Sequence, residues 1–289
     1  MLRHLVLSGL VLSLISCGSS EKKEEKVVED IKAKKEVSKD EPMKKSPVIK
    51  AVKVEIEKAA MKKENTKHWG YEGAFGPEYW GNLDENFKTC KEGSLQSPIN
   101  LIWEKPVKGS GINTLYTAST LNVTNTGKGL RFKVEPGSKL QHNTMSYDLK
   151  AIDFHTPSEH TLSGKSFPLE LHFKHKDESG KMMNLAVFYK LGKENTVLKQ
   201  LLMNSPKEAQ KSSLKPDFVY SPSELVPTVI THYTYEGSMT KPPCTEGVKW
   251  AVMNTPLEMS KEQYDMLKTL VKKNNRPIQK LNDRDVKNF

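Results

Sequence analysis

This chain has little with which to cross a membrane, repeat itself or cradle a phosphate. An apolar run at residues 5–15 is shorter than the roughly 20 residues a spanning helix needs. No segment recurs at a fixed period, and no glycine-rich phosphate loop occurs. Cysteine is scarce, with three in 289 residues. Aromatic residues are few between residues 21 and 63, where Lys and Glu dominate. A segment so poor in apolar surface does not offset its own ordering entropy, which excludes a packed core there. What is abundant is positive charge: the formal net charge is +10 and the sequence pI about 9.2. Such a balance suits an anionic partner. No nucleic-acid motif accompanies it, so lipid headgroups or anionic cell-surface polymers are the expected partners, and nucleic acid is not.

Arg3 and His4 precede the apolar run, which closes on LISC at 14–17. A short basic start, an apolar core and a small residue before the cut describe a secretory signal. The LISC ending resembles a bacterial lipoprotein signal, removed as residues 1–16, after which Cys17 carries lipid. Residues 17–66 then read as the lipidated cysteine and a Lys/Glu-rich tether. The expected product is an exported lipoprotein of the cell envelope. Gly18 follows Cys17 where inner-membrane retention would place an aspartate, so the outer membrane, facing the periplasm, is the expected site.

Residues 67–289 suit one domain with a sizeable core. They read as many short strands punctuated by Gly, Pro, Asn and Asp: LNVTNT, LRFKVEP, YDLKAIDF, LELHFKHKD, NLAVFYKLG and VKWAVMN. LKQLLMN and EQYDMLKTLVKK show helical spacing. Many strands and few helices predict a β-rich α+β domain.

Residues 151–175, AIDFHTPSEHTLSGKSFPLELHFKH, hold four of the eight histidines. In a strand, alternate residues share a face. Ala151, Asp153 and His155 therefore point one way, and Glu170, His172 and Lys174 share a face of the second run. If the two runs are antiparallel neighbours, Asp153, His155 and His172 converge. Two imidazoles and a carboxylate suit zinc, and equally iron or manganese. A second arrangement needs no metal. Lys174 shares the face of His172, so its ammonium pairs with Asp153 and stands in for the cation.

FHTPSEHTLSGKSFPLELHFKH closely resembles the core of bacterial α-class carbonic anhydrases. KHWGYEGAFGPEYWGNL at 67–83, LQSPINL at 95–101, YTYEGSMTKPPCTEGVKWAVM at 233–253 and NNRPIQKLNDRDV at 274–286 resemble further family motifs, in family order. The resemblance implies a large, mostly antiparallel twisted sheet with peripheral helices and a metal at the base of a conical cleft. It implies a disulfide between Cys90 and Cys244. It also implies Zn2+ on three histidines, which lowers the pKa of bound water to about 7.

By that resemblance His155 and His172 match two zinc ligands, and Asp153 stands where the third histidine belongs. Ala151 replaces the glutamine that orients that histidine, whereas Glu170 matches the carboxylate that orients His172. Thr240 and Glu159 match the pair that orients zinc-bound hydroxide, and His160 and Tyr235 match a buried structural pair. The substrate side departs further. Lys174 and Asn184 replace valines of the CO2 pocket, and Met239 replaces a leucine, while Val248 and Trp250 remain. Lys128 takes the place of the proton-shuttle histidine, Lys241 that of a hydroxyl residue, and Arg131 that of an amide. Two functions follow: a zinc carbonic anhydrase of weakened activity interconverting CO2 and bicarbonate, or a catalytically silent relative that binds a small anion in a basic cleft.

The anchoring expectation has a direct check. Cys17→Ser should move the protein from the membrane fraction to the soluble one on cell fractionation; unchanged retention refutes the lipid reading.

Overall fold

The computed structural model describes residues 68–289 apart from 103, 108 and 110. The predicted signal, Cys17 and the tether to residue 66 lie outside the described residues. Among the described residues no helix is long and apolar enough to cross a membrane.

Fourteen strands are present among the described residues, numbered in chain order. The first five are β1 (Asn100–Leu101), β2 (Ile112–Leu115), β3 (Ser119–Asn125), β4 (Leu130–Lys133) and β5 (Lys139–His142). Next come β6 (Met145–His155), β7 (Thr161–Leu162), β8 (Leu169–Lys176), β9 (Met182–Leu191) and β10 (Lys211–Tyr220). The last four are β11 (His232–Ser238), β12 (Glu246–Met253), β13 (Leu257–Met259) and β14 (Lys287–Asn288). Twelve form one sheet whose main path runs β10-β3-β4-β6-β8-β9-β12-β11-β14. Most neighbours are antiparallel; β12 and β13 each pair with β9 in parallel. The expected β-rich α+β fold, with a large and mostly antiparallel sheet, is thus observed.

Helices α1 (Thr196–Met203) and α2 (Lys261–Leu270) form where helical spacing predicts them. Asn195 caps α1 through its side chain, and Ser260 with Gln263 makes a capping box for α2. The strand β10 was not predicted. It sits at the sheet edge, is mostly exposed and contains Pro216, so it lacks the alternation that marks a half-buried strand.

The alternation of the central strands splits the core in two. Ile152, Phe154, Leu171, Phe173, Leu185 and Val187 belong to a large apolar cluster on one face. Ala186, Phe188, Val248, Trp250 and Val252 belong to a second cluster on the other. Asp153, His155, Glu170, His172 and Lys174 occupy the second face, as alternation with Ile152, Phe154, Leu171 and Phe173 requires.

Cys90 and Cys244 form a disulfide with their Cα atoms 5.0 Å apart, as the family resemblance implied. Arg276, fully buried, reinforces the junction: Nη2 donates to the Cys90 carbonyl, and Nη1 to Gln96 Oε1 and the Ser97 carbonyl, each at 2.8 Å. Gln96 Nε2 in turn donates to the Cys244 carbonyl at 3.1 Å.

One polar residue breaks the apolar face of β8. His175 is buried beside Phe173, its Nδ1–H donating to the Met183 carbonyl at 3.2 Å and its Nε2 accepting from the Tyr116 hydroxyl at 2.9 Å. Burial pushes its pKa down to about 3. An unfolded histidine takes a proton near pH 6.5, before the folded one does. Stability from His175 is therefore present above pH 6.5 and is lost as pH falls toward about 3. His175→Gln should flatten that acid limb in urea titrations between pH 6.5 and 4; an unchanged slope refutes the assignment.

Candidate functional site

Register places the site. Across β6 and β8, Asp153 faces His172, His155 faces Glu170, and Ala151 faces Lys174. On the other side of β6, Arg131 of β4 faces Asp153. On β9, Asn184 faces Lys174, with Trp250 of β12 beyond it.

Each of the two imidazoles is oriented by a partner. The carbonyl of Asn274 only accepts, so His155 carries its proton on Nδ1, 3.0 Å away, and its Nε2 is a lone pair with no hydrogen-bond partner. His172 donates from Nε2 to Glu170 Oε1 at 2.7 Å, which leaves Nδ1 unpartnered. Glu170 is itself held. Its Oε2 accepts from the backbone N–H groups of Glu159 and His160, and Oε1 also binds His160 Nδ1 at 2.6 Å. Burial pushes the Glu170 carboxyl up, but His160 and His172 outweigh burial and hold it well below the usual range. His160 shares a 2.6 Å hydrogen bond with the Tyr235 hydroxyl, the buried pair that the resemblance implied.

Glu159 Oε1 accepts from the Arg276 backbone N–H at 2.8 Å, and its Oε2 has no hydrogen-bond partner. That oxygen lies 3.4 Å from His155 Nδ1 and 3.7 Å from His172 Nδ1. Burial pushes the Glu159 carboxyl up to about 8, against the Arg276 N–H and the Thr240 side chain, so at neutral pH it is mostly protonated.

Asp153 is in different company. Arg131 grips it in a bidentate fork, Nε to Oδ1 and Nη2 to Oδ2, both at 2.7 Å. Lys174 Nζ lies 2.6 Å and Lys241 Nζ 2.9 Å from Oδ2. Burial would raise the Asp153 carboxyl, but Lys174, Lys241 and Arg131 overcome it and hold the group well below the usual carboxylate range. Lys174, with 16% of its side chain exposed, is drawn by burial down to about 7 against the pull of Asp153. Three basic side chains share one carboxylate, and Arg131 and Lys241 already outnumber it before Lys174 is counted, while protonated Glu159 contributes no negative charge.

A cavity of about 360 Å³ opens over this cluster. Arg131, Asp153, His155 and Lys241 line it, under Trp69, Tyr71 and Lys128. Lys128 places its ammonium 4.9 Å from the centre of the Trp69 ring rather than on Asp153. His172, Lys174, Asn184, Val248 and Trp250 are buried behind the cavity floor. Asn184 keeps its Nδ2 unpartnered there. Met239 packs against the second apolar cluster and Thr240 is buried beside it.

Sequence reasoning missed Asn274. Besides holding His155, its side chain accepts from the Thr156 N–H and donates to the carbonyls of Phe154 and Lys128. It stands in the NNRPIQ motif, but nothing in that string says which strand it meets. Trp69 and Tyr71 were likewise visible only as part of the opening segment.

The donors of the expected metal set are unequally available. His155, Glu159 and His172 present ligand atoms within 4.8 Å of one another, as do His160, Glu170 and His172; among the described residues Asp153 joins neither group. His155 Nε2 and His172 Nδ1 are free lone pairs, whereas both Asp153 oxygens are committed to cations. Two imidazoles and a carboxylate are thus gathered, but Asp153 stands where a third imidazole belongs, so the donor set does not fit the family's three-imidazole ion.

The chain matches the family model for eukaryotic-type carbonic anhydrases over residues 75–289. It is 40% identical over 224 residues to a carbonic anhydrase of Neisseria gonorrhoeae, covering 77% of this chain and 88% of that one. The α-carbonic anhydrase of Thermovibrio ammonificans, solved with the inhibitor sulfanilamide, superposes with a TM-score of 0.74 at 37% identity, over 77% of this chain and all of that one. Dioscorin solved with ascorbate superposes at 0.70 with 30% identity, over 77% and 98% of the two chains. The chain belongs to the α-class carbonic anhydrase family.

The ion cluster sets a stability expectation. Asp153→Asn strips a buried carboxylate from three cations and should cost about 3 to 5 kcal/mol in urea unfolding, because Lys174 stays buried without its counter-ion. Asp148→Asn, which breaks exposed pairs with Lys139 and Lys150, should cost about 1 kcal/mol or less. Equal costs would refute a buried network.

Proposed function

We propose that this member of the carbonic anhydrase family binds a small anion in its cleft and hydrates CO2 slowly or not at all. One observation carries the reading: Arg131, Lys174 and Lys241 converge on a single carboxylate at the cavity floor. Their excess charge favours an anion, and the partly exposed Arg131 and Lys241 present it to the cavity. Lys128 on Trp69 adds a cation and an aromatic wall at the rim. A planar organic anion suits such walls, and the dioscorin neighbour was solved with ascorbate.

The chemistry of CO2 hydration argues the same way. α-Carbonic anhydrases are generally zinc enzymes, and zinc supplies hydroxide at neutral pH. Here the third ligand position is spent on cations. The neutral, linear substrate would meet Lys174 and Asn184 at its pocket, where polar groups hold water in preference to CO2. Lys128 is a poor proton shuttle in place of histidine. A second reading, metal-assisted hydration, is favoured by the unpartnered His155 Nε2 and His172 Nδ1. It requires near-stoichiometric zinc in the purified protein. In either reading we place the domain at the cell envelope, held by lipid on Cys17 and by the tether of residues 17–66, as the LISC sequence and the Lys/Glu-rich composition support.

Calorimetric titration with ascorbate and with bicarbonate tests the proposal. Binding should weaken at least tenfold in Arg131→Leu and in Lys241→Met, and should weaken with added salt. Stopped-flow CO2 hydration with zinc supplied should be far below that of an efficient carbonic anhydrase. No binding of either anion, or an efficient hydration rate, overturns it.

A further inference from the structure

We infer that the ammonium of Lys174 is the resident cation of this site, and that it keeps divalent metal out. The inference extends the reading of the cleft as a cation cluster and rests on it only for the ion pairs to Asp153.

Three observations converge. The first is position. Lys174 follows His172 by two residues on β8, shares its face and lies diagonally from Asp153 across β6. The chain therefore brings its own positive charge to the same patch of sheet as the two free imidazole nitrogens. The second is contact. Lys174 Nζ lies 2.6 Å from Asp153 Oδ2, and its charge is felt at both Glu159 and His172. The carboxylate that stands at the third ligand position therefore faces an ammonium, while His155 Nε2 and His172 Nδ1 keep no polar partner. The third is company. Arg131 and Lys241 close on the same carboxylate, so a dication would enter a region of positive charge and would have to take Asp153 from them. A lysine among apolar and aromatic neighbours is costly unless its charge is needed there. Asn184, the residue opposite on β9, offers only an amide.

This makes Lys174 a specificity-determining residue whose removal opens a latent metal site. With the ammonium gone, Asp153 keeps two cations rather than three, and His155 Nε2 and His172 Nδ1 remain as free donors. Asp153→His with Lys174→Val removes both the competing cation and the committed carboxylate.

The test measures zinc itself on the full chain. The parent, Lys174→Met, Lys174→Arg and the Asp153→His/Lys174→Val double variant are purified without added metal, loaded with zinc and dialysed against a weak chelator. Zinc content is read by elemental analysis and melting temperature by calorimetry. The parent and Lys174→Arg should retain less than a tenth of an equivalent and show no zinc-dependent melting shift. The double variant should retain about one equivalent, with at least 100-fold tighter zinc binding and a melting temperature that rises with zinc. Lys174→Met should fall between them. Lys174→Arg guards against misfolding, because it retains the charge. One equivalent of zinc in the parent, or no gain of zinc in a folded double variant, overturns the inference. Ascorbate titration of the same parent preparation separates the two ideas. Anion binding with bound zinc defeats only this inference, and zinc exclusion without anion binding defeats only the proposed function.

Discussion

The pairing register of β6 against β8 is the constraint on which the site depends. It sets Asp153 opposite His172 and His155 opposite Glu170. A slip of one residue in either strand would send its own ionisable set, Asp153 and His155 of β6 or His172 and Lys174 of β8, into the apolar cluster that holds Phe154, Leu171 and Phe173. That cluster therefore holds the register, because only one alignment buries the apolar set on one face and the ionisable set on the other. Packing on one side of the sheet positions the chemistry on the other.

Within that frame, two charge economies lie side by side. Around Glu170, one carboxylate serves His160, His172 and two backbone N–H groups, so its charge is met by hydrogen bonds that also fix the rings. Around Asp153, the carboxylate meets three basic side chains and is outnumbered. The first arrangement holds two imidazole rings in place. The second commits both carboxylate oxygens to basic side chains. The boundary between them runs through the Asp153–His172 pair, a single rung of the ladder.

Much of this was legible in the sequence because it is local. The alternation of residues 151–155 and 170–174 placed five ionisable side chains on one face, and the position of Lys174 beside His172 made its pairing with Asp153 visible. The bidentate grip of Arg131 was not, since it depends on which strand β4 meets, and LRFK does not say so. Asn274 was hidden for the same reason: its contacts run to residues 128, 154, 155 and 156. The edge strand β10 carried no alternation to read. The parallel pairing of β12 with β9 has no local signature, because both strands are buried and their apolar runs fit either direction.

The contacts of Asn274 and Arg276 bear on the order in which the molecule is put together. Every strand of the sheet's middle, from β3 to β12, precedes residue 254. The groups that seat His155 and Glu159, however, are the Asn274 carbonyl and the Arg276 N–H. A chain emerging from its N-terminus has every strand of the sheet but the short edge strand β14 in hand before either arrives. Scaffold and site are thus separable in time. A chain that stops short of Asn274 has the sequence of the central strands but not the groups that orient the imidazole and the acid.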